Sequence, residues 1–136
     1  MENEIDVSFV MTVYNKEYYL PSVIRALLNQ TGLKNPEYIF VDDVSTDKSV
    51  EIIREMTKGI KNVKIFANTE NRGISVRINQ GIAAAEGKYT RLIPTIFFRS
   101  IQHKKWFSWP KNCLRIWFTA LLPKPARSRQ SLNMSL

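Results

Sequence analysis

Four short apolar runs between Val7 and Ile93 are separated by three segments whose apolar residues recur at helical spacing. Val7 to Val13 (VSFVMTV) is apolar enough for a strand buried on both faces. After the break at Tyr14-Asn15-Lys16, Leu20, Val23, Ile24, Leu27 and Leu28 mark a helix over Leu20 to Leu28, with Pro21 tolerated in its first turn. Gly32 and Pro36 punctuate the exit. Tyr38 to Val41 is a second strand, and Ser45, Thr46 and Asp47 supply cap chemistry for a helix lined by Val50, Ile52, Ile53 and Met56 and stopped at Gly59. Val63 to Ala67 is a third strand. Asn71-Arg72-Gly73 turns into a third helix with Ile74, Ile78, Ile82 and Ala85 on one face, closed by Gly87, and Lys88 to Ile93 starts a fourth strand. Connections this short between alternating strands and helices predict βαβ units. The expectation is an α/β fold: a mainly parallel sheet of about four strands flanked by helices. Ligands of such sheets sit beyond the carboxyl ends of the strands. Here those ends are Thr12 to Glu17, Asp42 to Asp47, Asn68 to Gly73, and whatever follows Ile93.

The pattern stops where the charge changes. Residues 1–93 carry 12 acidic and 12 basic side chains, whereas 94–136 carry 8 basic and none acidic, so the second segment holds the whole net charge of +8. It also holds all three tryptophans (Trp106, Trp109, Trp117), the only histidine (His103) and the only cysteine (Cys113). Attraction to nucleic acid or an anionic membrane therefore concerns 94–136 alone. A single cysteine forms no internal disulfide, no apolar stretch reaches the ~20 residues of a spanning helix, and the N-terminus is acidic where a signal peptide is basic. A cytoplasmic protein is the expectation.

Several chemistries are excluded for 1–93. There is no G-x-G-x-x-G and no P-loop, a zinc site lacks ligands, and a hydrolytic triad lacks its histidine. Two loops remain. In Val41-Asp42-Asp43-Val44-Ser45-Thr46-Asp47 a carboxylate is placed to accept hydrogen bonds from a nucleobase imide or ribose hydroxyls, though an aspartate at such a turn is often only a cap. In Met11-Thr12-Val13-Tyr14-Asn15-Lys16-Glu17 an aromatic ring suited to stacking on a base follows the first strand, although it could equally pack over the sheet edge. The two loops are expected to be neighbours at one end of the sheet.

These loops, with Asn71-Arg72-Gly73, Arg77-Ile78-Asn79-Gln80-Gly81-Ile82 and Ala85-Glu86-Gly87-Lys88-Tyr89, resemble the nucleotide-sugar half of family 2 glycosyltransferases over roughly residues 5–93. The resemblance implies a partial GT-A (Rossmann-like) fold that binds a nucleoside-diphosphate sugar, typically a UDP-sugar, for transfer to a glycan, lipid or polymer acceptor. Cell-wall or polysaccharide biosynthesis is the implied setting. By position, Thr12 and Tyr14 border the base, Asp42 binds uracil or ribose, and Asn15, Glu17 and Asp43 shape the pocket. Arg77 is a candidate for the base or diphosphate, although many members place the arginine one residue later, where Ile78 stands. Val44 replaces the family's usual glycine, so either the loop needs no positive φ there or it is strained.

The family also carries an acidic motif after the fourth strand that holds Mg²⁺ or Mn²⁺ against the leaving diphosphate, and an acidic catalytic base in its acceptor half. Leu92-Ile93-Pro94-Thr95-Ile96-Phe97-Phe98-Arg99 offers neither, and no acid follows Glu86. The expectation is a donor-binding domain over 1–93 without metal ligands or catalytic residues. An atypical, irregular basic and aromatic segment over 94–136 is expected to lie outside the family fold. Three readings of that segment stand side by side. A frameshifted or shortened gene is one: Asn112 to Leu121 can be encoded so that a shifted frame reads Leu-Leu-Ala-Asp-Leu-Val-Tyr-Gly-Ser. Peripheral contact of 99–129 with the inner face of the membrane is the second, and single-stranded nucleic acid held by interleaved bases and aromatics is the third. A donor-binding remnant without turnover is the rival to an active transferase. A half-sheet with an unpaired edge also predicts self-association.

Overall fold

The computed structural model describes residues 4–93 and the backbone of 122–123. The elements are β1 (Val7–Val13), α1 (Leu20–Leu28), β2 (Glu37–Asp42), α2 (Ser49–Met56), β3 (Val63–Ala67), α3 (Ile74–Ala84), β4 (Tyr89–Ile93) and β5 (Leu122–Pro123). They form one sheet in the order β3-β2-β1-β4-β5. The first four strands are parallel, and β5 pairs antiparallel with Tyr89 and Thr90 of β4. The expected four-strand parallel sheet is present. β1, α1 and β3 lie at the expected residues, while β2 runs one residue further at each end.

The sheet grows outward from β1 through β2 to β3, and α3 then carries the chain back to β4 on the other side of β1. That reversal at β1 and β4 is the switch point past whose carboxyl ends sheets of this kind take ligands. Both faces are covered, which is why the strands read as unbroken apolar runs. On one face Phe9, Met11 and Val13 of β1 and Phe40 of β2 cluster with Leu20, Ile24 and Leu27 of α1 and Ile53 of α2. On the other, Val10, Ile39 and Val41 meet Ala85 just beyond α3.

The predicted face of α3 holds in part: Ala85, just past the helix, is buried against the sheet and Ile78 and Ile82 are half-buried, but Ile74 is 37% exposed and the buried positions within the helix are Arg77 and Gly81. The reason is close approach. A Cβ on Gly81 would overlap Val10 Cγ1 and lie 3.2 Å from Val41 Cγ2, so the helix sits nearer the strands than bulky side chains allow. Ile78 and Ile82 flank that contact, half-buried. The cap of α2 also differs. Lys48 occupies the N-cap without a side-chain bond. Asp47 Oδ1 still accepts the Ser49 amide at 2.9 Å, which satisfies one of the helix's orphan donors. Ser45 and Thr46 serve elsewhere, as described below.

At the amino ends of the strands Glu37, 1% exposed, forms a second polar centre. It accepts Ser8 Oγ at 2.5 Å and the Glu86 amide at 2.9 Å, and it pairs with Lys64 at 2.7 Å. Burial opposes ionisation of Glu37, but these donors outweigh it and hold the carboxyl below its usual value. No described helix is long and apolar enough to cross a membrane. The rest of 94–136, with the membrane and nucleic-acid readings attached to it, lies outside the described residues.

Candidate functional site

Three loops leave the carboxyl ends of β1, β2 and β3 and are laced into one rim. The β1 register places Val13 beside Asp42, and the Asp43 amide extends that ladder by donating to the Val13 carbonyl at 2.9 Å. Tyr14 and Asp43 therefore emerge together. From there the first two loops exchange bonds repeatedly. Asn15 N–H donates to Ser45 Oγ, Lys16 N–H to Ser49 Oγ, and Glu17 N–H to Asp47 Oδ2, at 2.9, 2.9 and 3.0 Å. In return Thr46 N–H donates to Asn15 Oδ1 at 2.8 Å and Lys48 N–H to Glu17 Oε2 at 3.1 Å. Each short polar side chain in one loop satisfies an amide in the other, which is why a stretch rich in Ser, Thr, Asn and Asp has a fixed shape. The Asp47 carboxyl is held below its usual value. Burial would raise it, but hydrogen bonds from Ser49 and the Glu17 amide prevail.

The paired aspartates separate in role. Asp42, 2% exposed, folds its carboxylate back on Ser45, accepting the amide at 2.9 Å and the hydroxyl as well. Asp43 reaches the third loop and α3. Its Oδ1 accepts Arg72 N–H at 2.9 Å and Arg77 Nε at 2.7 Å, and its Oδ2 accepts Gly73 N–H at 2.9 Å. Burial would raise the Asp43 carboxyl, but the Arg72 amide, the Arg77 guanidinium and the Gly73 amide together lower it. Gly73 has φ +83° and opens α3, a conformation suited to glycine. Val44 has φ +65°. Of the two expectations for this position, strain is the one observed, because a β-branched residue is rare in the left-handed region.

Arg77, 5% exposed, is the hub of the third loop. Besides Asp43 it donates to Gln80 Oε1 at 3.0 Å and to the Glu70 carbonyl. Gln80 Nε2 donates to Asn68 Oδ1 at 3.1 Å, and Asn68 Nδ2 to the Asp42 carbonyl at 2.8 Å. Asn71 Nδ2 adds a bond to the Asp43 carbonyl at 3.2 Å.

Thr12, Tyr14, Asn15, Glu17, Asp42, Asp43 and Arg77 thus all belong to one end of the sheet. Their exposure sorts them. Tyr14 is 49% exposed and presents its ring to solvent. Thr12, Asp42, Asp43 and Arg77 are buried, and Asn15 and Glu17 are spent on the loop weave. Sequence reasoning placed Asn68 and Asn71 at this end of the sheet but gave them and Gln80 no role, and took Ser45 and Thr46 for caps. The available signal was weak: Gln80 lies three residues from Arg77, one helical turn along the same face.

A divalent ion does not fit the residues described. No group of three or more His, Cys, Asp or Glu side chains gathers among them. Both rim aspartates already have donors within hydrogen-bond distance.

Residues 8–93 match the sequence model of Glycosyl transferase family 2. The Minor teichoic acid biosynthesis protein GgaB of Bacillus subtilis is 38% identical over 89 residues, which cover 65% of this chain and 10% of that protein. An uncharacterized glycosyltransferase of Haemophilus influenzae is 43% identical over 83 residues, 61% of this chain and 33% of that one. Among solved structures, S. aureus TarS 1-349 in complex with UDP-GlcNAc superposes with a TM-score of 0.61 at 27% identity, covering 65% of this chain and 26% of that chain. The chain spans a third or less of the length of these relatives.

Proposed function

Because the chain belongs to glycosyl transferase family 2, we propose that residues 1–93 are the donor-binding portion of a sugar transferase. Its donor is a nucleoside-diphosphate sugar, a UDP-sugar, and its acceptor a glycan, lipid or polymer. The observation that carries this reading is the laced rim: Tyr14 stands exposed where the loop after β1 is bonded to the loop that follows Asp42. TarS, a structure of the same architecture, binds UDP-GlcNAc. In this reading Tyr14 stacks on the base, Thr12 borders it, and Asp42 accepts from the uracil imide or a ribose hydroxyl through lone pairs that Ser45 leaves open. Asn15, Glu17 and Asp43 hold the walls.

Transfer also needs a base on the acceptor hydroxyl and neutralisation of the leaving diphosphate. The family's divalent ion would supply the second. No acid follows Glu86 in residues 87–136 to provide either, so residues 1–93 are proposed to supply the donor-binding part of the transfer and not its metal site or base, with a donor-binding remnant without turnover as the alternative. A cytoplasmic setting, with 94–136 as a separate basic segment touching the inner membrane face, completes the proposal.

Titration calorimetry with UDP, with and without Mn²⁺, tests it. UDP binds whether or not Mn²⁺ is present, and Tyr14→Ala weakens it by about 1–3 kcal/mol, the usual loss for one stacked base. Absence of binding by UDP, or affinity that depends strongly on Mn²⁺, refutes the reading. Flotation of the chain with anionic liposomes tests the membrane component separately, and failure to float removes it.

A further inference from the structure

We infer that Arg77 is a positioning residue, which sets the three loops of the rim in register for the nucleoside and does not touch the diphosphate. The inference rests on the donor-binding reading above. Its basis is the direction of the hydrogen bonds. The guanidinium has donors only, and it is 6% exposed. Its Nε is taken by Asp43 Oδ1, its Nη1 by Gln80 Oε1 and its Nη2 by the Glu70 carbonyl. Since Gln80 must present oxygen to Arg77, its amide nitrogen is left to donate to Asn68 Oδ1. Asn68 must then present its own amide nitrogen to the Asp42 carbonyl.

One cation thus fixes the orientation of two side-chain amides and, through them, the main chain at Asp42. On its other side, the Asp43 carboxylate that Arg77 neutralises receives the amides of Arg72 and Gly73. The base-facing residue of the second loop and the whole 70–73 turn therefore depend on one buried side chain. Three of the five N–H groups of Arg77 are so engaged, and a diphosphate could reach the other two only by opening a side chain that is 6% exposed beside its counter-charge Asp43.

The test compares Arg77→Lys and Arg77→Met with wild type in binding to uridine, UMP and UDP by calorimetry, together with amide hydrogen exchange. Lysine keeps the charge but not the three fixed donor directions. Both variants are expected to weaken all three ligands by the same factor, on the order of tenfold, the size of coupling that residues away from a ligand carry. The Arg72 and Gly73 amides exchange faster, while those of β1 and β2 keep their protection. Gln80→Met, which cuts the relay and spares the ion pair, gives a smaller uniform loss and guards against variants of Arg77 that fail to fold. Loss confined to UDP, with uridine unaffected, means direct diphosphate contact and overturns the inference. So does unchanged binding of all three ligands, or unchanged exchange at Arg72 and Gly73. A wild-type chain that binds none of the three sinks the donor-binding reading itself, an outcome distinct from any variant-specific change.

Discussion

Replacing Asp43 with alanine should destabilise the domain more than any other single change at the rim. The carboxylate is 6% exposed and accepts Arg72 N–H, Gly73 N–H and Arg77 Nε. Its removal leaves a buried guanidinium without its counter-charge and two amides without an acceptor. Breaking a buried ion pair from one side costs about 3–5 kcal/mol. A domain of this size has roughly 0.05–0.15 kcal/mol of stability per residue, so the loss takes a large share of the total. At roughly 4–8 °C per kcal/mol the melting midpoint falls by at least ~12 °C. Asp43→Asn adds a pH test, because asparagine keeps the shape and cannot titrate. The folded carboxyl lies below its usual value: burial raises it, but the Arg72 amide, Arg77 and the Gly73 amide lower it further. A group depressed in this way contributes fully above the unfolded value of about 3.9 and loses that contribution as pH falls through its folded value. Urea midpoints for wild type and Asp43→Asn should therefore differ by a constant amount from pH 7 down to about pH 4 and converge below it. A gap that persists unchanged below pH 3, or an Asp43→Ala loss under ~1 kcal/mol, refutes the claim that this carboxylate binds the rim together as an ion.

Two further outcomes follow from the backbone. Val44→Gly relieves a left-handed conformation worth about 1–2 kcal/mol, offset by about 0.5–1 kcal/mol for the freedom of an unfolded glycine. A net gain of about 0.5–1 kcal/mol in urea titration is expected, and a loss would mean the Val44 side chain supplies packing that exceeds its strain. Gly81→Ala drives a methyl into Val10 and Val41 and should cost about 1–3 kcal/mol, read as a lower thermal midpoint. A neutral result would show that α3 can move off the sheet freely.

The parts of this fold that sequence made legible are those set by local apolar pattern. β1, α1 and β3 needed only runs such as VSFVMTV and LPSVIRALL, since a strand covered on both faces carries no alternation to misread. The face of α3 was legible only in part: Ala85 is buried and Ile78 and Ile82 half-buried as the stripe implies, but Gly81 makes the closest approach, and a glycine has no apolar signature. Glu37 was hidden for the converse reason. A charged residue at the start of a strand argues against burial, and its partners Ser8, Lys64 and Glu86 are scattered along the chain. At the rim, the identities of Tyr14, Asp42, Asp43 and Arg77 were legible. Their division into exposed ring, capped carboxylate and buried ion pair was not: the ion pair joins residues 34 apart, and which of two adjacent aspartates Ser45 caps has no signature in the local pattern.

The span of those pairings bears on how donor binding and turnover relate in this chain. Among the described residues, the rim bonds given above close between Val13 and Gln80, with the β1–β2 ladder and the Arg77 relay as their outermost anchors. The carboxylates that transfer chemistry requires belong, by the resemblance, to the region beyond β4, where this sequence has eight bases and no acid. Among the described residues, the order of the rim comes from local polar exchange at the end of a sheet buried on both faces. On the donor-binding reading proposed above, the nucleoside is held by residues 12–80, whereas activation of the sugar calls for acidic groups that 94–136 does not supply.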